Sequence, residues 1–178
     1  TANRRQRQMC IRDSINIDDL TFPLEVYQSM GLKIKQVSTS SYEFSCTNLK
    51  SIKNIKTKEF PGYPTDLQAQ LIASLLKVGQ KSNITENIFE NRFIHIPELR
   101  RFGAQLDIVG NTVVINKTND LFGAEVMATD IRASFSLIIA AIISKGTTTI
   151  NRIYHLDRGY EDFDLKLKKC GVNIKRKK

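Results

Sequence analysis

The chain has 178 residues, 41% of them hydrophobic and 25% charged, with a formal net charge of +9. That length and balance predict an ordinary globular domain with a real core and exclude bulk disorder. The positive surplus sits largely at the ends, in Arg4, Arg5, Arg7 and Arg12 and in Lys175, Arg176, Lys177 and Lys178; runs of this kind are ordinarily solvated, so no nucleic-acid partner is expected.

At the start, Arg4 to Ser14 reads RRQRQMCIRDS, without apolar periodicity and unlike the Lys-, Asn- and Ile-rich chain that follows. The string resembles the in-frame translation of a sequencing adapter, so residues 1–14 are read as an artefact or, failing that, as a disordered basic tail. Residues 15–178 are read as one partial α/β domain.

From there the chain repeats itself. An amphipathic helix is predicted over Pro23–Met30, ending at Gly31 and followed by a strand. The same helix–Gly–strand pattern returns at Pro97–Phe102 with Gly103 and at Phe163–Cys170 with Gly171. Glycine after a helix enters the left-handed region without a Cβ clash. Between these units Pro64-Thr-Asp-Leu-Gln-Ala-Gln70 parallels Ala128-Thr-Asp-Ile-Arg-Ala-Ser134. Each opens a helix apolar on nearly every side, Leu67–Val78 and Ile131–Ser144, and such helices are buried. The longest largely apolar run, Phe135 to Ile143, is far short of the roughly 20 residues needed to cross a bilayer, so no membrane span is expected. Short strands follow at Asn83–Thr85 and Thr148–Asn151, and Gly110-Asn111 marks a hairpin between Gln105–Val109 and Thr112–Asn116. The expected architecture has buried helices inside and sheets outside, with the first unit lacking its buried helix. Cys10, Cys46 and Cys170 show neither CxxC nor His-paired spacing, so neither a metal site nor a disulfide framework is expected, and the compartment is read as reducing.

Several residues suggest chemistry. Thr65-Asp66-Leu67-Gln68 has the form of a capping box, with Thr65 as cap and Asp66 in a first turn that favours negative charge. Arg132 stands where Gln68 stood in the earlier copy; a cation is unfavourable there, so it needs another partner. Arg92 and Arg158 lie at related distances after Asp66 and Asp130, both in loops that follow a short strand. A planar guanidinium suits phosphate and carboxylate, and three in repeat-related places suggest an anion site, with exposed ion pairs as the plain alternative. His95 and His155 are read as structural. No Ser-His-Asp set or glycine-rich phosphate loop is present.

The segments Phe60-Pro-Gly-Tyr-Pro-Thr-Asp-Leu-Gln-Ala-Gln70, Ile84-Thr-Glu-Asn-Ile-Phe-Glu-Asn-Arg-Phe93, Val126-Met-Ala-Thr-Asp-Ile-Arg-Ala-Ser134 and Arg152-Ile-Tyr-His-Leu-Asp-Arg-Gly-Tyr-Glu161 strongly resemble the UDP-N-acetylglucosamine 1-carboxyvinyltransferase (enolpyruvyl transferase) family. The resemblance covers residues 59–178 firmly and 15–58 more loosely, and it implies an inside-out α/β barrel of repeated units, truncated at its N-terminus. It implies a cytoplasmic transferase of peptidoglycan synthesis, with UDP-N-acetylglucosamine and phosphoenolpyruvate as substrates, no metal, no cofactor, and the N-terminal half of the same enzyme as a partner. It places Asp66 as the base on the sugar 3-hydroxyl. Ile88 falls at a sugar-nucleotide position, Glu90 at a substrate-binding one, Arg92, Arg132 and Arg158 around phosphoenolpyruvate, and Asp130 near the reacting centre. The family's proton donor, a loop Cys or Asp, belongs to the other half; none of the three cysteines has that context. An inactive fragment or binding module of the same fold, and the shikimate-pathway enolpyruvyl transferase, are the alternatives.

Overall fold

The computed structural model describes residues 17–39 and 41–177; the adapter-like stretch, Cys10 included, lies outside them. A 3-10 turn, Ile17–Leu20, leads into helix α1 (Thr21–Ser29), strands β1 (Leu32–Gln36), β2 (Tyr42–Cys46) and β3 (Asn54–Lys56), and helix α2 (Gln68–Leu76). Strand β4 (Ser82–Thr85), helix α3 (Ile96–Arg101) and the hairpin β5 (Leu106–Val109) and β6 (Thr112–Ile115) follow. The chain then forms β7 (Glu125–Met127), α4 (Ile131–Ile143), β8 (Thr149–Asn151), α5 (Tyr154–Asp157) and α6 (Phe163–Lys169).

The two all-apolar helices form the interior. No residue of α2 or α4 is exposed, and the two pack against each other. Both are rich in small buried side chains, Ala69 and Ala73 on α2 and Ala133, Ser136 and Ala140 on α4, which let helix axes approach closely. Buried serines are tolerated because their hydroxyls bond back to the helix backbone, Ser136 to the Ala133 carbonyl at 2.7 Å.

Each buried helix is the crossover of a parallel strand pair, β3–α2–β4 and β7–α4–β8. The hairpin β5–β6 extends the first pair into a four-stranded sheet ordered β3-β4-β6-β5. The register sets Ile84 opposite Val113, both fully buried. The main core joins these sheets to α2 through Leu71, Ile72, Leu75, Ile96, Leu99 and Phe102, and a smaller cluster of Ile138, Leu156 and Phe163 lies at the far end of the chain. No helix among the described residues is long and apolar enough to cross a membrane.

The three repeat glycines all take positive φ: 102° at Gly31, 89° at Gly103 and 85° at Gly171. The strand expected after the third does not form. Residues 172–177 join no sheet among the described residues. Ile174 instead packs on the smaller core cluster, and Arg176 bonds Asp157 at 2.5 and 3.1 Å and Asp164 at 2.9 Å while covering the Phe163 ring. These two carboxylates raise the Arg176 pKa further. The terminal cationic run is thus partly a clamp on α5 and α6 rather than wholly solvated charge.

The glycines differ in a way that can be measured. A Cβ on Gly31 would lie 2.3 Å from the Asn48 carbonyl oxygen, whereas one on Gly171 would meet nothing within 4 Å. Gly171→Ala should cost only the left-handed backbone penalty, about 1–2 kcal/mol. Gly31→Ala should add an overpacking cost of about 1–3 kcal/mol, because the obstacle is backbone. Denaturant midpoints of the full-length variants check this; equal losses would refute the close approach.

Candidate functional site

Pro64 is extended at φ −71° and ψ 138°, and Thr65–Leu67 form a 3-10 turn that leads into α2. The expected capping box does not form: the Thr65 hydroxyl donates to the Glu86 Oε2 at 2.8 Å, and the Gln68 amide nitrogen donates to the Arg92 carbonyl at 3.3 Å. A buried carboxylate is the stronger acceptor for that hydroxyl. Asp66 faces outward with its side chain 62% exposed. Its Oδ1 accepts from Arg92 at 2.8 Å and from the Arg132 Nε at 2.5 Å. Its Oδ2 has no hydrogen-bond partner among the described residues. The unfavourable place of Arg132 in the first turn of α4 is accounted for by this pair.

Asp130 is the N-cap of α4. Its Oδ1 accepts the backbone N–H groups of Arg132 at 2.8 Å and Ala133 at 2.9 Å, satisfying donors that the first turn leaves open. The cap is therefore Asp130 in the second copy, where Thr65 and Asp66 in the first copy take other partners. Asp130 fixes the start of α4 and hence the place from which Arg132 reaches Asp66.

Arg92 comes from the loop after β4. Its guanidinium lies 4.4 Å from the Phe89 ring centroid, and its side chain is only 15% exposed. The same loop carries half-buried Ile88 and exposed Glu90. With Asn87, Ile94, Ile108 and Asn111 it lines an open concavity of about 770 Å³.

Arg158, expected in a loop, is the C-cap of the one-turn helix α5. It is exposed, and no described residue forms an ion pair with it. The adjoining Gly159 lies so close to Ile131 that a Cβ would meet its Cδ1 at 1.9 Å, which brings the Arg158 segment beside the first turn of α4. Asp66, Arg92 and Arg132 are thus in direct contact, Asp130 fixes the base of Arg132, and Arg158 stands on a neighbouring rim. Ile88 and Glu90 line the adjoining concavity.

Sequence reasoning missed Glu86. It is 3% exposed and has no ion pair among the described residues. Its Oε1 accepts from the Thr57 hydroxyl at 2.8 Å and from the backbone N–H groups of Ile88 at 2.9 Å and Phe89 at 3.2 Å, and its Oε2 takes Thr65. The only signal was its position directly after a buried strand, which by itself suggests nothing.

His95 is 1% exposed and its Nε2 has no hydrogen-bond partner among the described residues. Burial pushes its pKa down to about 4, against a smaller opposing pull from Asp130. It faces the small polar cavity shared with Gln68, Arg92, Asp130 and Arg132. His155 belongs to α5, its ring 4.1 Å from that of Tyr154. Because the folded protein holds His95 neutral while the unfolded chain protonates it near pH 6.5, its contribution is complete above pH 6.5. It is lost as the pH falls from 6.5 towards 4, by about 3 kcal/mol. Between pH 7 and pH 4 the wild type should therefore lose more unfolding free energy than His95→Gln does, by about that amount; parallel curves would show that the imidazole titrates normally.

This geometry can be set beside known proteins. The chain is 50% identical over 155 residues to the UDP-N-acetylglucosamine 1-carboxyvinyltransferase of Pelagibacter ubique, an alignment covering 86% of this chain and 36% of that protein. It is 56% identical over 122 residues to the enzyme of the same name from Rhodopseudomonas palustris, covering 68% of this chain and 28% of that one. The chain thus spans about a third of the length of these curated relatives. Among solved structures, the enolpyruvyl transferase NikO from Streptomyces tendae superposes with a TM-score of 0.79 at 23% identity, covering 94% of this chain and 40% of that one. EPSP synthase from Acinetobacter baumannii gives 0.67 at 16% identity, covering 88% and 37%. These two likenesses establish the fold, an enolpyruvyl transferase α/β architecture. Residues 9–167 match the profile described as EPSP synthase (3-phosphoshikimate 1-carboxyvinyltransferase), and with that match across most of its length the chain belongs to that family.

Proposed function

We propose that the protein containing this chain transfers the enolpyruvyl group of phosphoenolpyruvate to the 3-hydroxyl of UDP-N-acetylglucosamine, releasing phosphate, in peptidoglycan precursor synthesis in the cytoplasm. The observation that carries it is the convergence on one exposed carboxylate, Asp66, of two arginines from separate repeat units. The names of the relatives at 50% and 56% identity supply the substrates.

The chemistry fits those residues. Asp66 takes the proton of the sugar hydroxyl as its oxygen attacks the substituted carbon of the enol double bond. The methylene carbon gains a proton from a donor outside this chain. Loss of phosphate from the substituted carbon and of a proton from the neighbouring methyl carbon then restores the double bond. Arg92, Arg132 and Arg158 hold the phosphate and carboxylate and stabilise the charge that leaves. Asp130 fixes the start of α4 and thus the base of Arg132. Ile88 and Glu90 line the concavity assigned to the sugar nucleotide. The sequence of steps is redox-neutral, so it calls for no electron carrier. The N-terminal part of the enzyme completes the site. With shikimate phosphate as acceptor the same assay tests the sister activity.

Asp66→Asn in the full-length protein should lower kcat by about 10²–10⁴-fold. Its unfolding midpoint should stay near wild type, because exposed ion pairs contribute only about 0–1 kcal/mol. Near-normal kcat would remove Asp66 from the role, and a large loss of stability would point to a structural one.

Arg132→Lys and Arg158→Lys keep the charge but lose the planar fork. Each should raise KM for phosphoenolpyruvate, or lower kcat at saturating sugar nucleotide, more than it raises KM for the sugar. Steady-state kinetics with each substrate varied decide this; unchanged phosphoenolpyruvate kinetics in both variants would leave these arginines as surface ion pairs.

A further inference from the structure

We infer that Glu86 is a positioning residue: it joins the segment that carries the base to the loop that carries the sugar-nucleotide contacts, and so sets the acceptor sugar against Asp66. The inference rests on the functional reading given above.

A carboxylate with almost no exposure and no cationic partner is costly unless every lone pair is used. Glu86 uses four hydrogen bonds, and they come from three separate segments. Thr57, just beyond β3, donates to Oε1 and accepts the Asn87 N–H at 2.8 Å. Ile88 and Phe89 donate their backbone N–H groups to the same oxygen. Thr65, the residue before Asp66, donates to Oε2. The backbone of Glu86 is itself fixed by Asn111 at the hairpin turn, through the Glu86 N–H at 2.8 Å and the Glu86 carbonyl at 3.1 Å.

The two oxygens have different tasks. Oε1 shapes the loop at Ile88 and Phe89, the wall of the open concavity and the platform on which Arg92 lies. Oε2 holds the turn from which Asp66 projects. One rigid group therefore links both sides of the proposed acceptor site. Asp66 is exposed and its arginine contacts are adjustable, so its backbone position depends on this buried tie. Glutamine is nearly isosteric. With its carbonyl in the place of Oε1 it keeps the bonds from Thr57, Ile88 and Phe89, and its NH₂ can donate to the Thr65 oxygen. Alanine keeps none of them.

The experiment uses the full-length protein with UDP-N-acetylglucosamine and phosphoenolpyruvate each varied. Glu86→Ala should raise KM for the sugar nucleotide about tenfold or more and lower kcat, as expected when a reacting group shifts by a fraction of an ångström. KM for phosphoenolpyruvate should rise clearly less than that for the sugar nucleotide, since of its three arginines only Arg92 lies on the loop that Glu86 shapes, while Arg132 and Arg158 lie on other segments. Glu86→Gln should restore most of the sugar-nucleotide KM. A purely structural role would lower the active fraction and leave both KM values alone. Should Glu86→Ala fail to fold, Thr65→Val, which removes only the Oε2 tie, should lower kcat about tenfold, with Thr65→Ser restoring it. A folded Glu86→Ala with unchanged sugar-nucleotide KM, equal rises in both KM values, or a Thr65→Val with normal kcat would overturn the positioning role and leave the function intact. Wild-type protein that neither binds nor turns over the sugar nucleotide would overturn the functional reading itself.

Discussion

Two helices without a solvent face, α2 and α4, set the terms for everything else. A helix with no exposed residue must be covered on every side, and besides each other α2 has the β3-β4-β6-β5 sheet against it and α4 has α3 and α5. Apolar burial contributes about 25 cal/mol per Å², so a chain rich in such helices gains most by wrapping other elements around them. The wrapping has a consequence at the helix ends. Asp66, just ahead of α2, touches Arg132 in the first turn of α4, so the two N-terminal ends lie side by side. Both dipoles then present their positive ends at one place, next to three arginines. Asp66 and the Asp130 cap are the anions held there. The anion-friendly character of the site is thus a by-product of how two buried helices pack, before any single residue is chosen.

The two acidic groups on which the site turns live in different electrostatic regimes. Asp66 is exposed, and water screens its arginine contacts; they orient side chains but hold little structure together. Glu86 is buried, where hydrogen bonds are stronger and a missing one costs more. An exposed carboxylate can change partners within a reaction cycle, while a buried one with four donors cannot. The arrangement therefore divides labour: a fixed carboxylate inside and an exchangeable one outside, linked through Thr65 and through the Phe89 loop that carries Arg92.

Much of this was legible in the sequence where local physics decides. The glycines after α1, α3 and α6 announce left-handed backbone, and all three have it. The all-apolar stretches announce buried helices, and the Gly110-Asn111 turn announces its hairpin. That Arg132 needed a partner also followed from its bad place on the dipole. What failed was whatever depended on long-range partners. Thr65 and Gln68 have the spacing of a capping box, but Thr65 bonds Glu86, 21 residues away. Val172-Asn-Ile174 has a strand's composition, but Ile174 goes to the core cluster and Arg176 to Asp157 and Asp164. Glu86 was invisible for the same reason: its four donors come from positions 57, 65, 88 and 89, and no window of neighbouring residues contains them all.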